Sequence, residues 1–445
     1  MYGKDIEKII NANKIKIGDS ITLRKGDKKI SGIIMPSTSF DEPDNIIIKL
    51  KNGYNIGVKL SDYKIDSIEH KSFNVEFPSI DFKQKDGLKN LSLIYTGGTI
   101  GSRVDYRTGG VHMLTKPEEL LYLVPEIADV ANISINNLYS IASEDMSYLE
   151  WQGIARQIYK EANKGAHGII VTHGTDTMHY TSAALSFMLQ NLNIPVVITG
   201  AQRSSDRGSS DAFINLFCSA RLAASSDIAE VGICMHENSS DNTCTFIRGT
   251  KARKMHTSRR DAFKPINDDI IARVSKLGGI EYIGMYRKRN DSKSELKLLD
   301  KFEKKTALVK IYPNSDPEIL DYYVNKGYKG IILEGTGLGH APVSTTHVEY
   351  NWLKSIKNTV DRGIIVGMTS QCVYGMVNPN VYTNLRLISE AGAIYCRDMT
   401  AETAYIKLGW LLGNYRHEEA KQMLDQNISG EISDRITYNE FLDGE

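Results

Sequence analysis

Four short apolar runs between residues 91 and 236 constrain the fold of this chain more than any other feature of the sequence. They are LSLIYTGGTI, HGIIVTHGTDT, IPVVITGAQ and EVGICMHEN, and the first three have Gly and Thr residues toward their carboxyl ends. Helical patterns lie between them: SYLEWQGIARQIYKEANKG, YTSAALSFMLQNL and SSDAFINLFCSARLAAS. This alternation is typical of a mainly parallel sheet that helices cover on both faces. Because ligands bind at the carboxyl ends of such strands, we expect functional residues in the turns that follow them.

The residues before this alternation predict a different kind of domain. Residues 1–85 contain short β-rich runs separated by turn pairs, Gly26-Asp27 and Asn52-Gly53. Asn-Gly between two such runs is a strong signal for a β-hairpin. We therefore expect a small, mostly antiparallel, β-barrel-like domain over 1–85, joined to the rest by a linker near 83–90.

The remainder of the chain predicts two α/β domains and a tail. We expect the first domain, over 90–290, to be catalytic. A polar, charged connection over 286–305 precedes ALVKIYPN and KGIILEGTGLG, where the alternation resumes in a second, smaller domain over 306–424. Thr400 is placed to cap the last helix of that domain. Residues 425–445 form a polar tail that is either docked or frayed.

Charge and composition exclude several classes of protein. Lys plus Arg and Asp plus Glu each number 54, so the chain has no general attraction to nucleic acid or acidic membranes. A content of 41% hydrophobic and 24% charged residues excludes a largely disordered chain. The five cysteines form no C-x-x-C pair, which favours a reducing compartment. No apolar stretch approaches the roughly 18 residues of a membrane span, so we expect a soluble, cytoplasmic protein.

The first motif with chemical potential is TGGTIG, residues 96–101, directly after a strand. Paired glycines such as Gly98 allow the backbone to approach a ligand closely and to present N–H groups to it. Thr99 then offers a hydroxyl at the mouth of the sheet. Taken alone, the tetrapeptide TGGT is explained better by a tight strand-to-helix turn without a ligand. No Gly-Lys-Ser/Thr follows, so it is not a phosphate-binding loop of the Walker type.

The second motif is THGTDT, residues 172–177, which again follows a strand. Gly174 precedes a hydroxyl, Thr175, and a carboxylate, Asp176, although a helix N-cap is the ordinary use of such residues. His173 and His179 are six residues apart, not the four of a zinc-binding helix, and no carboxylate pattern supports them. We therefore predict no metal site.

The third motif is RKMHTSRRDAF, residues 253–263, which we expect to lie in a polar loop. Most lysines are solvated, and Lys254 alone would mean little. A threonine hydroxyl, however, is a poor nucleophile until a base takes its proton, and a lysine held partly neutral is such a base. A Thr, Lys and Asp set thus supplies a nucleophile, its base and an orienting carboxylate.

The three motifs, in this order and at these separations, resemble the bacterial-type L-asparaginase and glutaminase family over residues 90–425. The resemblance implies an active site of Thr99, Thr175, Asp176 and Lys254. It also implies an active-site tyrosine, which falls on Tyr106 in DYRTGG. One hypothesis is that Thr99 attacks the side-chain amide, with Tyr106 helping to move its proton, and that Thr175, Lys254 and Asp176 activate the water. The sequence does not decide which of the two threonines acts first.

The same resemblance implies residues that bind the substrate. Ser143 in ASEDM matches the family's substrate-binding serine, but Glu144 stands where the family often has glutamine. Backbone N–H groups at the turns of Gly98 and Gly174 would stabilise the oxyanion. The polar loop 202–207 would lie near the rim of the site, if it is more than a solvated loop. The resemblance leaves unplaced an acidic residue that the family supplies from its C-terminal domain across a dimer.

The N-terminal extension, with PVVITGAQRSSDRGSSDAF and FIRGTKARKMHTSRRDAF, is similar to the glutamine-hydrolysing subunits of archaeal glutamyl-tRNA(Gln) amidotransferases. This implies that ammonia from glutamine passes to a partner, the E-type subunit of the same amidotransferase. The partner would use ATP and Mg²⁺ to convert Glu-tRNA(Gln) to Gln-tRNA(Gln). This chain would need no cofactor itself and would form a homodimer within a heterotetramer.

Two other functions remain open at the level of the sequence. A stand-alone L-asparaginase with an accessory N-terminal domain would use the same catalytic residues. A non-catalytic α/β module that binds a sugar or an amino acid has no need of the Thr, Thr, Asp, Lys set, so the motifs speak against it. One methylene in a pocket is worth only about 1–3 kcal/mol, so the sequence does not decide between glutamine and asparagine.

Overall fold

A computed structural model describes most of the 445 residues. The described residues are 2, 4–35, 44–51, 54–70, 84–104, 111–113, 124–205, 209–289, 291, 294–437 and 441. The chain divides into two compact units, residues 1–81 with 102–114, and residues 82–101 with 115–445.

The secondary structure follows the alternation that the sequence predicts. The strands are β1 (Ser20–Lys25), β2 (Lys28–Ile34), β3 (Asn45–Lys49), β4 (Asn55–Lys59), β5 (Lys64–Glu69), β6 (Lys89–Gly97), β7 (Ser102–Val104), β8 (Val111–Met113), β9 (Ala131–Ile141), β10 (Gly168–Thr172), β11 (Leu189–Gln190), β12 (Val196–Thr199), β13 (Val231–His236), β14 (Thr243–Arg248), β15 (Ala252–Lys254), β16 (Phe263–Pro265), β17 (Ala272–Ser275), β18 (Ile280–Tyr282), β19 (Lys297–Leu298), β20 (Thr306–Lys310), β21 (Gly330–Gly335), β22 (Ile365–Ser370) and β23 (Ile394–Tyr395). The helices are α1 (Lys4–Ala12), α2 (Tyr148–Asn163), α3 (Met178–Met188), α4 (Ala212–Ser225), α5 (Ile319–Asn325), α6 (Trp352–Asp361), α7 (Thr383–Glu390), α8 (Ala401–Asn414) and α9 (His417–Met423).

The first unit contains, within its described residues, a five-stranded sheet of order β4-β3-β2-β1-β5 in which every pairing is antiparallel. The predicted hairpin at Gly26-Asp27 is confirmed, because Lys25 pairs with Lys28 and Gly26 has a φ of +58°. Alternate residues such as Ile21 and Leu23 of β1 are buried, as expected for a strand with one face in a core. The pair Asn52-Gly53 lies outside the described residues.

The second unit is built on an eight-stranded sheet, counted over the described ranges, with the order β18-β17-β14-β13-β12-β10-β6-β9. From β9 to β13 the neighbours are parallel, and from β13 to β18 they are antiparallel. Strand β10 is buried along its whole length, because helices lie on both faces of the parallel part. The antiparallel strands β14, β17 and β18 were not among the predicted strands. Two of them, β17 and β18, are short and partly exposed, so they lack the apolar run that marked the others.

The second α/β domain has a parallel sheet of order β20-β21-β22-β23 in the described part of the chain. The predicted N-cap of its last helix, α8, is confirmed: the Thr400 side chain accepts a hydrogen bond from the Thr403 N–H. Helices α3 and α8 pack together across the two α/β domains, and Phe187 stacks on Trp410 with ring centroids 5.4 Å apart. The two domains therefore share one hydrophobic core.

The connection between the two α/β domains packs against the rest of the second unit. Its Phe302 is buried, and the Arg287 guanidinium donates through Nε to the Ala229 carbonyl over 2.9 Å. The part of the chain that the structure describes contains no helix long and apolar enough to cross a membrane.

Candidate active site

The turn that carries Thr99 follows β6 and begins with two glycines in left-handed conformations. Gly97 and Gly98 have φ values of +108° and +84°, which side-chain-bearing residues rarely adopt. A Cβ atom at Gly98 would lie 2.4 Å from the backbone nitrogen of Gly174, so only glycine permits this approach. The turn of Thr99 is thereby held against the turn of Thr175.

Neighbouring parallel strands bring further predicted residues to the same edge of the sheet. Thr172, at the end of β10, pairs with Tyr95 of β6, and Gly97 pairs with Ile141 of β9. The carboxyl ends of these strands therefore meet, and the turns that follow them contain Thr175, Thr99 and Ser143. Parallel register converts residues far apart in the chain into neighbours.

Ser143 lies directly beside the second glycine turn. A Cβ atom at Gly174 would lie 2.7 Å from the Ser143 Cβ, and the Thr177 hydroxyl donates to the Ser143 carbonyl over 2.6 Å. Ser143 is buried, whereas Glu144 is exposed. The structure thus places Ser143 against the turn of Thr175 and directs Glu144 toward solvent.

Lys254 joins Thr175 and Asp176 in one hydrogen-bonded group. The Lys254 Nζ donates to Thr175 Oγ1 over 2.8 Å and to Asp176 Oδ1 over 2.7 Å. The Lys254 side chain is 9% exposed and that of Asp176 is 66% exposed, so the amine is shielded while the carboxylate faces outward. Three side chains that are separated by up to 79 residues of sequence therefore form one cluster.

The predicted polar loop around Lys254 is corrected by the structure. Residues Ala252–Lys254 form β15, which pairs with β16, and Lys254 stands opposite Phe263. The strands, Ala-Arg-Lys and Phe-Lys-Pro, are three residues long, which is too short to show an apolar alternation in the sequence. Tyr106, the predicted active-site tyrosine, lies outside the described residues.

The cluster can activate a hydroxyl or a water molecule. An amine beside a threonine hydroxyl serves as its base once the amine is neutral, and a carboxylate bonded to that amine orients it. Thr175 makes a further contact that was not predicted: its hydroxyl donates to Gln202 Oε1 over 3.3 Å. Gln202 belongs to the polar loop that the resemblance places near the rim of the site. It follows β12, the next parallel strand, and this position after a strand is the sequence signal for its contact with Thr175.

Comparisons with known proteins identify the family of the chain. Three family models match it: the GatD N-terminal domain over residues 15–68, the N-terminal asparaginase domain over 90–285, and the C-terminal glutaminase/asparaginase domain over 305–424. The D-type subunit of glutamyl-tRNA(Gln) amidotransferase from Pyrococcus furiosus is 48% identical, covering 98% of this chain and 99% of the relative. The chain belongs to the family of D-type subunits of glutamyl-tRNA(Gln) amidotransferases.

Another relative with the same name comes from Methanothermobacter thermautotrophicus. It is 44% identical and covers 99% of this chain and 99% of its own length. The resemblance drawn from the three motifs is therefore confirmed, and it includes the N-terminal domain that sets the D-type family apart from chains that begin at the asparaginase domain.

Solved structures confirm the fold of the two α/β domains. The thermostable L-asparaginase from Thermococcus kodakarensis is 31% identical, with a TM-score of 0.69 over 78% of this chain and 100% of that protein. L-asparaginase I from Vibrio cholerae is 30% identical, with a TM-score of 0.68 over the same share of each chain. The asparaginase-like body predicted for this member of the D-type family is thus present.

His173 supports the turn that carries Thr175. Its Nδ1 donates to the Gly174 carbonyl over 2.6 Å, which leaves Nε2 to accept from the Thr181 hydroxyl over 2.8 Å. Burial lowers the pKa of His173 to about 4, so the ring is neutral near pH 7. Over the described residues, no group of three or more His, Cys, Asp or Glu side chains is arranged to hold a metal ion.

Proposed function

We propose that this chain hydrolyses glutamine to glutamate and ammonia as the glutaminase subunit of a tRNA-dependent amidotransferase. The observation that carries the proposal is the pair of hydrogen bonds from Lys254 to Thr175 and Asp176 at the mouth of an asparaginase-type sheet. The GatD N-terminal domain match supports the amidotransferase setting, because it lies outside the two asparaginase domains.

The proposed reaction has two halves. The Thr99 hydroxyl attacks the carbonyl carbon of the glutamine side-chain amide, its proton moves with the help of Tyr106, and ammonia leaves as the C–N bond breaks. Water then attacks the resulting ester, glutamate departs, and Thr99 recovers its proton. In the second half, neutral Lys254 takes a proton from the attacking water through Thr175, and that proton passes on to the Thr99 oxygen as the ester C–O bond breaks. Asp176 orients the amine.

Backbone groups and nearby side chains hold the substrate in this proposal. N–H groups in the turns of Gly98 and Gly174 stabilise the oxyanion, and the loss of one such donor typically costs on the order of 100- to 1000-fold in rate. Ser143 and Asp176 bind the α-carboxylate and α-amine of the substrate. The buried position of Ser143 beside Gly174 supports its part in this arrangement.

The ammonia serves a partner, the E-type subunit of the amidotransferase, in this proposal. That partner binds ATP and Mg²⁺ and uses the ammonia to convert Glu-tRNA(Gln) to Gln-tRNA(Gln), while this chain forms the homodimeric core of a heterotetramer. The net charge of zero supports the proposal that the partner binds most of the tRNA, since phosphate binding requires many Lys and Arg contacts.

Replacement of Lys254 by methionine tests the proposal. Because the base is removed, we expect ammonia release from glutamine to fall by about 10²- to 10⁴-fold. The matched control is Lys264→Met on the paired strand β16, whose amine donates to the Glu237 carbonyl. Ammonia release is measured for both variants, together with circular dichroism to verify folding. Undiminished activity in the folded Lys254→Met variant would refute the assignment.

A stand-alone L-asparaginase is the second candidate. The match to complete L-asparaginase structures favours it. Rapid turnover of asparagine by the isolated chain, with no response to other components, would support this function. Glutaminase activity that rises when the E-type partner and Glu-tRNA(Gln) are added would support the amidotransferase.

A further inference from the structure

The loop after β12 places a glutamine beside Thr175. The backbone N–H groups of Gln202 and Arg203 donate to Asp211 over 3.0 and 3.1 Å. Asp211 is fully buried and also accepts from the Asn215 amide over 3.0 Å. Such bonds to a buried carboxylate are strong, so the start of this loop is fixed to helix α4.

The Gln202 carbonyl determines where the Thr175 hydroxyl points. Thr175 Oγ1 accepts from Lys254 Nζ over 2.8 Å and donates to Gln202 Oε1 over 3.3 Å. A hydroxyl has a single proton, and a protonated lysine has no acceptor to offer it. While Lys254 is protonated, Gln202 therefore holds the hydroxyl in the orientation that leaves its oxygen facing the amine.

The amide nitrogen of Gln202 has no comparable bond. Nε2 is buried, yet it has no hydrogen-bond partner among the residues that the structure describes. An unpaired buried donor costs about 1–3 kcal/mol. Rotating the amide by 180° does not remove this cost, since the side chain would then donate to Thr175 and leave its carbonyl oxygen unpaired. The amide is therefore suited to a hydrogen bond with a molecule bound at Thr175.

We propose that Gln202 contacts the substrate in this site. Its Oε1 orients the Thr175 hydroxyl, and its Nε2 donates a hydrogen bond to an oxygen atom of the bound carboxamide amino acid. This role rests on the proposed function, because it assumes that the substrate lies against Thr175.

Two variants distinguish the role of the Gln202 Oε1 acceptor from that of the Nε2 donor. Gln202→Glu keeps the shape and the acceptor but removes the donor, so we expect KM for L-glutamine to rise by about 10- to 100-fold, as for one lost hydrogen bond to substrate. The new carboxylate also favours the ammonium form of Lys254, so the acid limb of the kcat/KM profile should move to higher pH. Gln202→Met removes both groups and should lower kcat as well as raise KM, with no such pH shift.

The experiment measures kcat, KM and the pH profile of the full-length chain with L-glutamine. Gln190→Met is the matched control, because the Gln190 amide is also partly buried and donates over 2.8 Å to the Phe187 carbonyl in the last turn of the preceding helix, α3. If both Gln202 variants match the wild type in KM and pH profile, or lose activity only in proportion to a lost folded fraction, the inference is overturned. If the Lys254→Met variant is inactive while the Gln202→Met variant has normal kinetics, this inference alone is overturned. If the Lys254→Met variant remains active, the proposed function is overturned.

Discussion

At the scale of single residues, the site depends on side chains whose protonation is set by burial. His173 lies completely inside the protein, and burial lowers its pKa to about 4. Burial likewise lowers the pKa of His179, near Lys254 and Arg253, to about 4. Both rings are neutral at the pH where a lysine acts as a base, and the His173 ring fixes the carbonyl of Gly174. A neutral imidazole in this place holds the turn of Thr175 without adding charge to the site.

The lowered pKa of His173 predicts a loss of stability in acid. The unfolded pKa is near 6.5 and the folded pKa near 4, so the unfolded state binds the proton first. The contribution of this group is complete above pH 6.5 and falls as the pH drops toward 4. By pH 5 the loss of this contribution should have lowered the free energy of unfolding by about 2 kcal/mol.

His173→Asn isolates this contribution. We expect the variant to be less stable than the wild type at pH 7, and the difference should shrink by about 2 kcal/mol at pH 5. Urea unfolding at both pH values measures it, and His347→Asn, at an exposed position, is the control. A difference that stays constant with pH would show that His173 is not buried in its neutral form.

At the scale of elements, ion pairs to the second α/β domain position the strand that carries Lys254. Lys251 and Asp398 form an ion pair in which both side chains are buried. Two residues further, Arg253 pairs with Glu402 of α8 over 2.9 Å. Because side chains alternate along a strand, Lys254 points away from these partners and toward Asp176. The second domain thus helps to orient the proposed catalytic lysine.

Breaking the buried pair should therefore destabilise the protein strongly. Lys251→Met leaves the Asp398 carboxylate buried without its cation, which typically costs about 3–5 kcal/mol. The double variant Lys251→Met with Asp398→Asn removes the stranded charge and should recover most of this loss. Denaturant unfolding of both variants provides the measurement. Equal stability of the single and double variants would contradict the prediction.

At the scale of the whole molecule, the C-terminal segment connects the two α/β domains. The fully buried Glu431 carboxylate pairs with Lys407 of α8 over 2.7 Å and accepts the Ser429 N–H over 2.6 Å. Ser433 then donates to the Asn267 carbonyl of the first domain over 2.8 Å. Over residues 429–433, the predicted tail is therefore docked by an ion pair and specific hydrogen bonds.

Glu431→Gln tests how much the segment contributes. The substitution keeps the shape but leaves the buried Lys407 ammonium without its counter-charge, at a cost of about 3–5 kcal/mol. A domain of this size should then unfold roughly 10 °C lower. Glu418→Gln, which alters an exposed carboxylate nearby, is the matched control. A melting temperature within a degree of the wild type would mean that this ion pair does not stabilise the docked segment.

The sequence by itself determined the alternating strands and helices of the parallel sheets and the residue types of the site. Apolar periodicity is local information, so runs such as IPVVITG and caps such as Thr400 are visible in a window of a few residues. The turns at Gly98 and Gly174 could be predicted for the same reason. A glycine directly after a strand is itself the local signal of a position where a side chain would not fit. The resemblance of three ordered motifs then linked Thr99, Thr175, Asp176 and Lys254.

Only the tertiary structure decided which polar groups meet. The hydrogen bond from Thr175 to Gln202 and the ion pair between Lys251 and Asp398 join residues 27 and 147 positions apart. Strand β15 was unpredictable from its own three residues, because its pairing with β16 and its ion pairs supply the order that its propensity lacks. Hydrogen bonds and buried charges depend on partners in space, and the local pattern of a chain does not contain the identity of those partners.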